Sequence, residues 1–193
     1  MSDASPPLPP LPPALDALRA HVLAHSVKRG RFTLKSGATS TWFLDTKQTA
    51  CRPEGILLVA DAALDLIPAD ATAIGGLTMG ADPMAYGIAA IAATRGRRLR
   101  SFSVRKEAKD HGVTGRIAGA LELGDRVVIT EDTTTRGTSL MEAVDVVREF
   151  GAEVVLVTVI VDRGGACAAL CAAAGVDYRP LLTAADLGLD AGT

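Results

Sequence analysis

Glu131 and Asp132 close a β-branched run, and Thr133, Thr134, Thr135, Arg136, Gly137, Thr138 and Ser139 follow directly (RVVITEDTTTRGTSLMEAV, residues 126–144). The chemistry that order could perform is the holding of a sugar phosphate. Backbone N–H groups and hydroxyls at a helix start bind a phosphate, helped by the helix dipole. Gly137 lets the chain turn tightly beside the anion. Two carboxylates just before the loop can accept hydrogen bonds from vicinal ribose hydroxyls. An ordinary capped helix preceded by two surface acids has the same residues, and the GxxxxGK[ST] spacing of a Walker loop is absent. A second grouping, SVRKEAKDHG (residues 103–112), puts Arg105, Lys106, Lys109 and His111 close together. It offers several cationic donors to one polyanion; a solvated charged loop is the alternative. In IGGLTMGADPMA (residues 74–85), glycines between a strand and a helix let the backbone approach a diphosphate. Arg163, in VDRGG (residues 161–165), follows the last core strand, where a lone Arg is more often solvated.

Elements of alternating type must position these groups. Apolar spacing predicts a helix over residues 14–28, short strands over 31–34 and 41–45, and a helix from Pro53 to about residue 67. Then come a strand over 71–75, a helix over 83–94, a strand over 99–104, a charged loop over 105–115 and a short strand over 116–121. A strand over 126–130, a helix over 138–150, the strongest strand over 154–161, a helix over 166–174 and a last strand over 178–182 complete the chain. Such alternation predicts an α/β fold with a mostly parallel sheet covered on both faces, and ligands beyond the carboxyl ends of its strands. Six of the ten prolines lie in residues 1–13, which predicts an extended, disordered tail. The remainder, 14–193, reads as one domain, divided into an N-terminal part over 14–70 and a core over 71–193.

Composition bounds the function. The chain has 193 residues, 48% of them hydrophobic and only 4% aromatic, so its core must be built from Ala, Val, Leu and Ile. No apolar run approaches the ~20 residues a bilayer-spanning helix needs. Net charge −2 argues against global attraction to nucleic acid, and Arg95, Arg97, Arg98 and Arg100 have no interleaved aromatics to stack bases. Cys51, Cys167 and Cys171 form no disulfide framework, and the last two read as small buried residues on one helical face. The low cysteine count fits a reducing cytoplasm. No basic region followed by an apolar core marks the N-terminus as a secretory signal.

Residues 126–144 resemble the 5-phosphoribosyl 1-diphosphate (PRPP) motif of type I phosphoribosyltransferases: a hydrophobic run, two acids, then a Thr/Gly-rich loop. The R-K-x-x-K-x-H-G pattern of 105–112 is similar to the mobile catalytic loop of the orotate phosphoribosyltransferases within that family. Residues 30–45 (GRFTLKSGATSTWFLD) resemble that family's F-x-L-x-S-G segment, and residues 74–85 its pyrophosphate loop. The resemblance covers about residues 14–189. It implies the type I phosphoribosyltransferase fold, with a small hood subdomain formed by the N-terminal part. It implies displacement of pyrophosphate from PRPP by orotate, giving orotidine 5′-monophosphate, in de novo pyrimidine synthesis. Phosphoribosyl transfer to another acidic or modified base, or non-catalytic sensing of PRPP, remain alternatives.

Under the resemblance, Arg105, Lys106, Lys109 and His111 take up charge on pyrophosphate, largely in the neighbouring subunit's site of a homodimer. Glu131 and Asp132 hold the ribose, with Asp132 favouring positive character at C1, and residues 133–139 hold the 5′-phosphate. Lys35 reaches the substrate phosphates, Phe43 and Leu44 lie beside orotate, and Arg163 pairs with its carboxylate. Mg²⁺ is expected mainly on substrate oxygens and water, with no all-protein cage. Three departures from the family pattern involve four positions. Thr78 and Met79 stand where many members have Tyr-Lys, Leu44 replaces a frequent aromatic, and Arg136 replaces a small residue.

Overall fold

The computed structural model describes residues 8–33, 39–109 and 115–190. Helix α1 (Pro13–His25) opens with proline in its first turn, where the missing N–H removes no helical bond. It buries Leu18 and Val22. Of the segment expected to be a disordered tail, residues 1–7 lie outside the described residues. From Leu8 onward the chain is tied to the body: Leu11 packs against the core and the Arg19 guanidinium donates to the Pro9 carbonyl.

Strands β1 (Val27–Thr33) and β2 (Thr39–Leu44) pair antiparallel as a separate two-stranded sheet. A one-turn helix, α2 (Lys47–Ala50), precedes α3 (Pro53–Leu66). The order continues as β3 (Ala73–Leu77), α4 (Asp82–Thr94), β4 (Arg100–Lys109), β5 (Gly115–Gly119), β6 (Arg126–Thr134), α5 (Thr138–Phe150), β7 (Glu153–Asp162) and α6 (Ala166–Ala173). Short strands β8 (Asp177–Tyr178) and β9 (Leu182–Thr183) and a 3₁₀ turn (Ala185–Leu187) end the described chain.

The main sheet runs β5-β4-β3-β6-β7-β8, with β9 also on β7. Every pairing in it is parallel except β4 with β5. Strand order reverses between β3 and β6, so their adjoining carboxyl ends form the crevice where such sheets bind ligands. Side chains alternate between two cores. On β6, Val128 joins the cluster under α1, α3 and α4, while Val127 and Ile129 join the one under α5 and α6. A register shift opposite Val127/Val128 advances β7 by one residue, so Leu156 and Ile160 face the first cluster and Val157 and Val159 the second. Helices α3 and α4 pack closely because Gly87 has no side chain: a Cβ there would stand 2.3 Å from Ile56 Cγ1.

Four expectations are corrected. The charged segment over 105–115 is not wholly a loop: β4 continues to Lys109 and returns as β5, with residues 110–114 outside the described residues. The Arg105 guanidinium donates to the Gly115 carbonyl, and Arg116 Nε donates to the Arg105 carbonyl, which fastens the hairpin. Strand β6 does not stop at residue 130; its ladder with β7 runs on through Glu131↔Val159 to Thr134↔Asp162. Strand β1 starts four residues before the expected 31–34. The last strand divides around Pro180, whose ring nitrogen cannot donate to a ladder, while Arg179 and Leu181 N–H groups still bond β7 carbonyls.

Candidate active site

A cavity of about 900 Å³ opens at the crevice, lined by Lys28, Phe32, Thr33, Phe43, Glu131, residues 133–139 and Arg163. Its floor is the β6–α5 connection. Gly137 sits at the α5 N-cap with φ 76°, a left-handed turn that favours glycine, and its N–H donates to Thr134 Oγ1 at 3.0 Å. The first α5 backbone bond runs from Met141 N–H to the Gly137 carbonyl. The N–H groups of Thr138, Ser139 and Leu140 therefore precede the helical ladder and are geometrically available to an anion. Thr133 Oγ1 donates to the Val161 carbonyl, so the hydroxyls of Thr133 and Thr134 both brace the loop.

The two acids point differently because they alternate along β6. Glu131 lines the cavity. Burial, and next the Asp132 charge, push its pKa from the ordinary 4.5 up to about 7, against the pull of Lys47 and Lys106. Asp132, its side chain only 5% exposed, accepts from Lys47 Nζ at 2.6 Å and Thr46 Oγ1 at 3.0 Å. A Cβ on Gly80 would meet Asp132 Oδ1 at 2.8 Å, so the β3–α4 loop presses against this pair. In that loop the Thr78–Met79 peptide is cis, Thr78 Oγ1 donates to Asp82 Oδ2 at 2.6 Å, and Met79 is exposed. Ser103 Oγ donates to the other Asp82 oxygen at 2.6 Å.

Arg163 stands over the buried Trp42 ring, its guanidinium carbon 4.7 Å from the centroid. Partial burial lowers its pKa, and its Nε has no hydrogen-bond partner. The turn that carries it is held by Asp162, whose Oδ1 accepts from the Gly164 and Gly165 N–H groups and whose Oδ2 accepts from Tyr178 OH.

Of the predicted site residues, the structure brings Phe43, Glu131, residues 133–139 and Arg163 to one cavity. Arg136 is in that wall, while Thr78 and Met79 are on the neighbouring loop and not in it. Leu44 is corrected: it is 4% exposed and packs in the core, because consecutive residues of β2 face opposite ways and Phe43 takes the cavity side. Asp132 is likewise corrected from a position beyond the strand to a buried, paired one within it. Lys106 is exposed on β4 and acts electrostatically on Glu131, while Arg105 is held at the hairpin base. Lys35 and His111 lie outside the described residues, and only the backbone of Lys109 is described. Sequence reasoning missed Lys28, Trp42, Thr46 and Lys47. Lys28 falls at the end of the helix expected over residues 14–28, whereas it lies on β1 opposite Phe43, a pairing that local spacing does not announce. Nothing in local spacing marks Lys47 as a partner of Asp132, which is 85 residues away.

No protein-family model matches the chain. The fold matches the crystal structure of Mycobacterium tuberculosis H37Rv orotate phosphoribosyltransferase in complex with Fe(III) dicitrate, with TM-score 0.83 and 38% identity over 92% of this chain and 100% of that one. It also matches the same enzyme in complex with PRPP, with TM-score 0.78 and 35% identity over 92% and 100% of the two chains. Fold and switch-point loops thus define a type I phosphoribosyltransferase. In sequence, the chain is 46% identical over 176 residues to the orotate phosphoribosyltransferase of Streptomyces avermitilis, covering 90% of this chain and 97% of that relative. The chain belongs to the orotate phosphoribosyltransferase family.

Proposed function

We propose that this chain transfers the 5-phosphoribosyl group from PRPP to orotate, forming orotidine 5′-monophosphate and pyrophosphate in pyrimidine biosynthesis. The observation that carries the reading is one cavity lined by the α5 N-terminus, the Glu131 carboxylate and Arg163, which stacks on the buried Trp42. The amides and hydroxyls at the start of α5 suit the 5′-phosphate. Ionised Glu131 accepts the ribose hydroxyls. Phe43 offers a face to a pyrimidine, and the Arg163 fork matches its carboxylate. The C1–oxygen bond to pyrophosphate breaks as the bond from orotate N1 to C1 forms, through an oxocarbenium-like centre comparable to that of glycoside chemistry, and the N1 proton passes to a departing pyrophosphate oxygen. Arg105, Lys106, Lys109 and His111 are the cations assigned to the departing pyrophosphate, in a site that must exclude water.

The donors here suit a metal carried by substrate rather than one caged by protein. Asp132 is engaged by Lys47 and Thr46, and Asp82 by Thr78 and Ser103. With Glu131 placed on the ribose, Mg²⁺ would be held by PRPP oxygens and water. When bound, that ion supplies charge neutralisation at the diphosphate. A homodimer in which the β4–β5 hairpin reaches the partner's site is part of the reading, supported by the hairpin's place at the sheet edge. A cytoplasmic location is supported by three free cysteines. No described helix is long and apolar enough to cross a membrane.

The test is a base panel. PRPP and Mg²⁺ are supplied with orotate, uracil, adenine, guanine or hypoxanthine, and pyrophosphate release is followed. Orotate alone should give sustained release. A better rate with another base would replace orotate in the reading, and no release with any base would favour a PRPP sensor.

A further inference from the structure

His21, His25 and Glu54 lie away from the substrate cavity, where α1 meets the first turn of α3. One ligand atom from each falls within 4.8 Å of the other two. The two histidines are four apart on α1, so both rings project from one helical face, and their centroids are 4.4 Å apart. Glu54 comes from a different helix and is well exposed, while the His21 side chain is only 8% exposed.

The His21 ring is fixed on both sides. Its Nδ1 is 3.2 Å from Thr49 Oγ1, which is itself 2.7 Å from Ser26 Oγ. A Cβ on Gly55 would come within 2.9 Å of His21 Cε1, so that glycine makes room for the ring. The other nitrogen, Nε2, is buried with no hydrogen-bond partner. Its nearest acid, Glu54 Oε1, is 3.8 Å away, too far for a hydrogen bond. Burial, then His25 and Arg52, lower the His21 pKa against the opposing pull of Glu54, which favours the neutral ring. When Nδ1–H donates to Thr49, Nε2 turns a lone pair toward the carboxylate. Two electron-rich atoms then face each other, and a cation between them resolves the arrangement. A hydrogen bond that fixes one ring nitrogen so the other can ligate is the usual outer support of a metal-bound histidine.

We propose that His21, His25 and Glu54 form a divalent-metal site that clips α1 to α3, independent of the transferase reading. Two imidazoles and one carboxylate suit Zn²⁺, Co²⁺ or Ni²⁺, with water in the remaining position; Mg²⁺ prefers an all-oxygen shell. The Arg52 charge opposes the cation, and the Glu54 carboxylate offsets it.

The experiment uses full-length, untagged protein freed of metal and titrated calorimetrically with Zn²⁺ in excess Mg²⁺, with Co²⁺ absorption as a second readout. The expected result is one Zn²⁺ per chain, a Tm that rises with Zn²⁺ concentration, and a Co²⁺ spectrum without thiolate charge transfer. His25→Ala and Glu54→Gln change partly or well exposed side chains and should each weaken binding by about tenfold or more. Thr49→Val should weaken it while the far-UV spectrum stays that of the parent. No stoichiometric binding by the parent protein, unchanged affinity in both His25→Ala and Glu54→Gln, or a thiolate band placing the metal on cysteine would each overturn the proposal.

Discussion

Asp132 accepts from Lys47 and Thr46 inside β6, so its charge serves packing as well as the ribose role proposed for it. Its side chain is buried whereas Lys47 is 43% exposed, which places the pair between a screened surface bridge and a fully buried one. Asp132→Asn should therefore cost about 1–2 kcal/mol, lower Tm by several degrees and reduce kcat/KM for PRPP. A thermal melt beside steady-state kinetics checks this; an unchanged Tm would contradict the structural role. Glu131 gives a pH signature. Its folded pKa of about 7 lies above its ordinary 4.5, so the folded state binds more protons between those values. Its stabilising contribution is complete below about 4.5 and is lost as pH rises through the folded value. The Tm of the parent relative to Glu131→Gln should fall as pH climbs through neutrality, while kcat/KM for PRPP rises over the same window because ribose hydroxyls need the ionised acceptor. A parallel pH dependence in the two proteins would remove Glu131 from that role. Arg163 stacks on Trp42 and presents a planar fork. Arg163→Lys keeps the charge but loses the fork, so KM for orotate should rise about tenfold or more with little change in KM for PRPP.

Helix α5 depends on one backbone angle. Gly137 has φ 76°, and a Cβ there would stand 3.1 Å from both Cys167 Sγ and Leu170 Cδ1 on α6. Gly137→Ala combines left-handed strain with crowding and should cost about 2–3 kcal/mol. Because this turn sets the free amides of α5, KM for PRPP should rise along with the loss in Tm. A melt and a PRPP titration give both readouts, and a stability loss with unchanged PRPP affinity would detach the turn from the phosphate. The same helix was legible in the sequence from Thr138 to Phe150, since glycines flank an amphipathic run. Strand β6 was not. Acidic residues are poor strand formers, so Glu131 and Asp132 read as the strand's end, and only the β7 ladder through Glu131, Thr133 and Thr134 extends it. The β4–β5 hairpin was hidden for a related reason: charged residues read as loop until an antiparallel partner takes up their backbone groups.

At the scale of the assembly, the hairpin at the sheet edge gives the dimer reading a direct test. Under the proposed function, Lys109→Ala removes a hairpin cation assigned to pyrophosphate, and Arg163→Ala removes the fork assigned to the base, without breaking the buried Asp132 pair. If the hairpin serves the partner's site, a mixed dimer has one site with its hairpin from the Arg163→Ala chain and its pocket from the Lys109→Ala chain. That site is intact. Mixing the two inactive proteins should then restore activity in up to about half of the heterodimer sites. If the hairpin acts within its own chain, every site carries one lesion and mixing restores nothing. Subunit exchange followed by native mass measurement shows which dimers are present when pyrophosphate release is assayed.

The α/β alternation, the loops after the strands and Glu131 were readable without coordinates, because each depends on local periodicity or on a short, ordered run of types, while Phe43 and Arg163 were reached through the resemblance of residues 30–45 and 161–165. The pairing of Asp132 with Lys47 and Thr46, the inward turn of Leu44 and the Trp42 platform under Arg163 were decided only by the tertiary structure. These contacts join segments 85 or more residues apart in the Asp132 cluster, and they depend on which face of a strand meets the core. Sequence spacing reports neighbours along the chain. It cannot report how a twisted sheet and its bulges bring distant faces together, and that packing decides which polar side chain reaches the cavity and which is spent holding its wall.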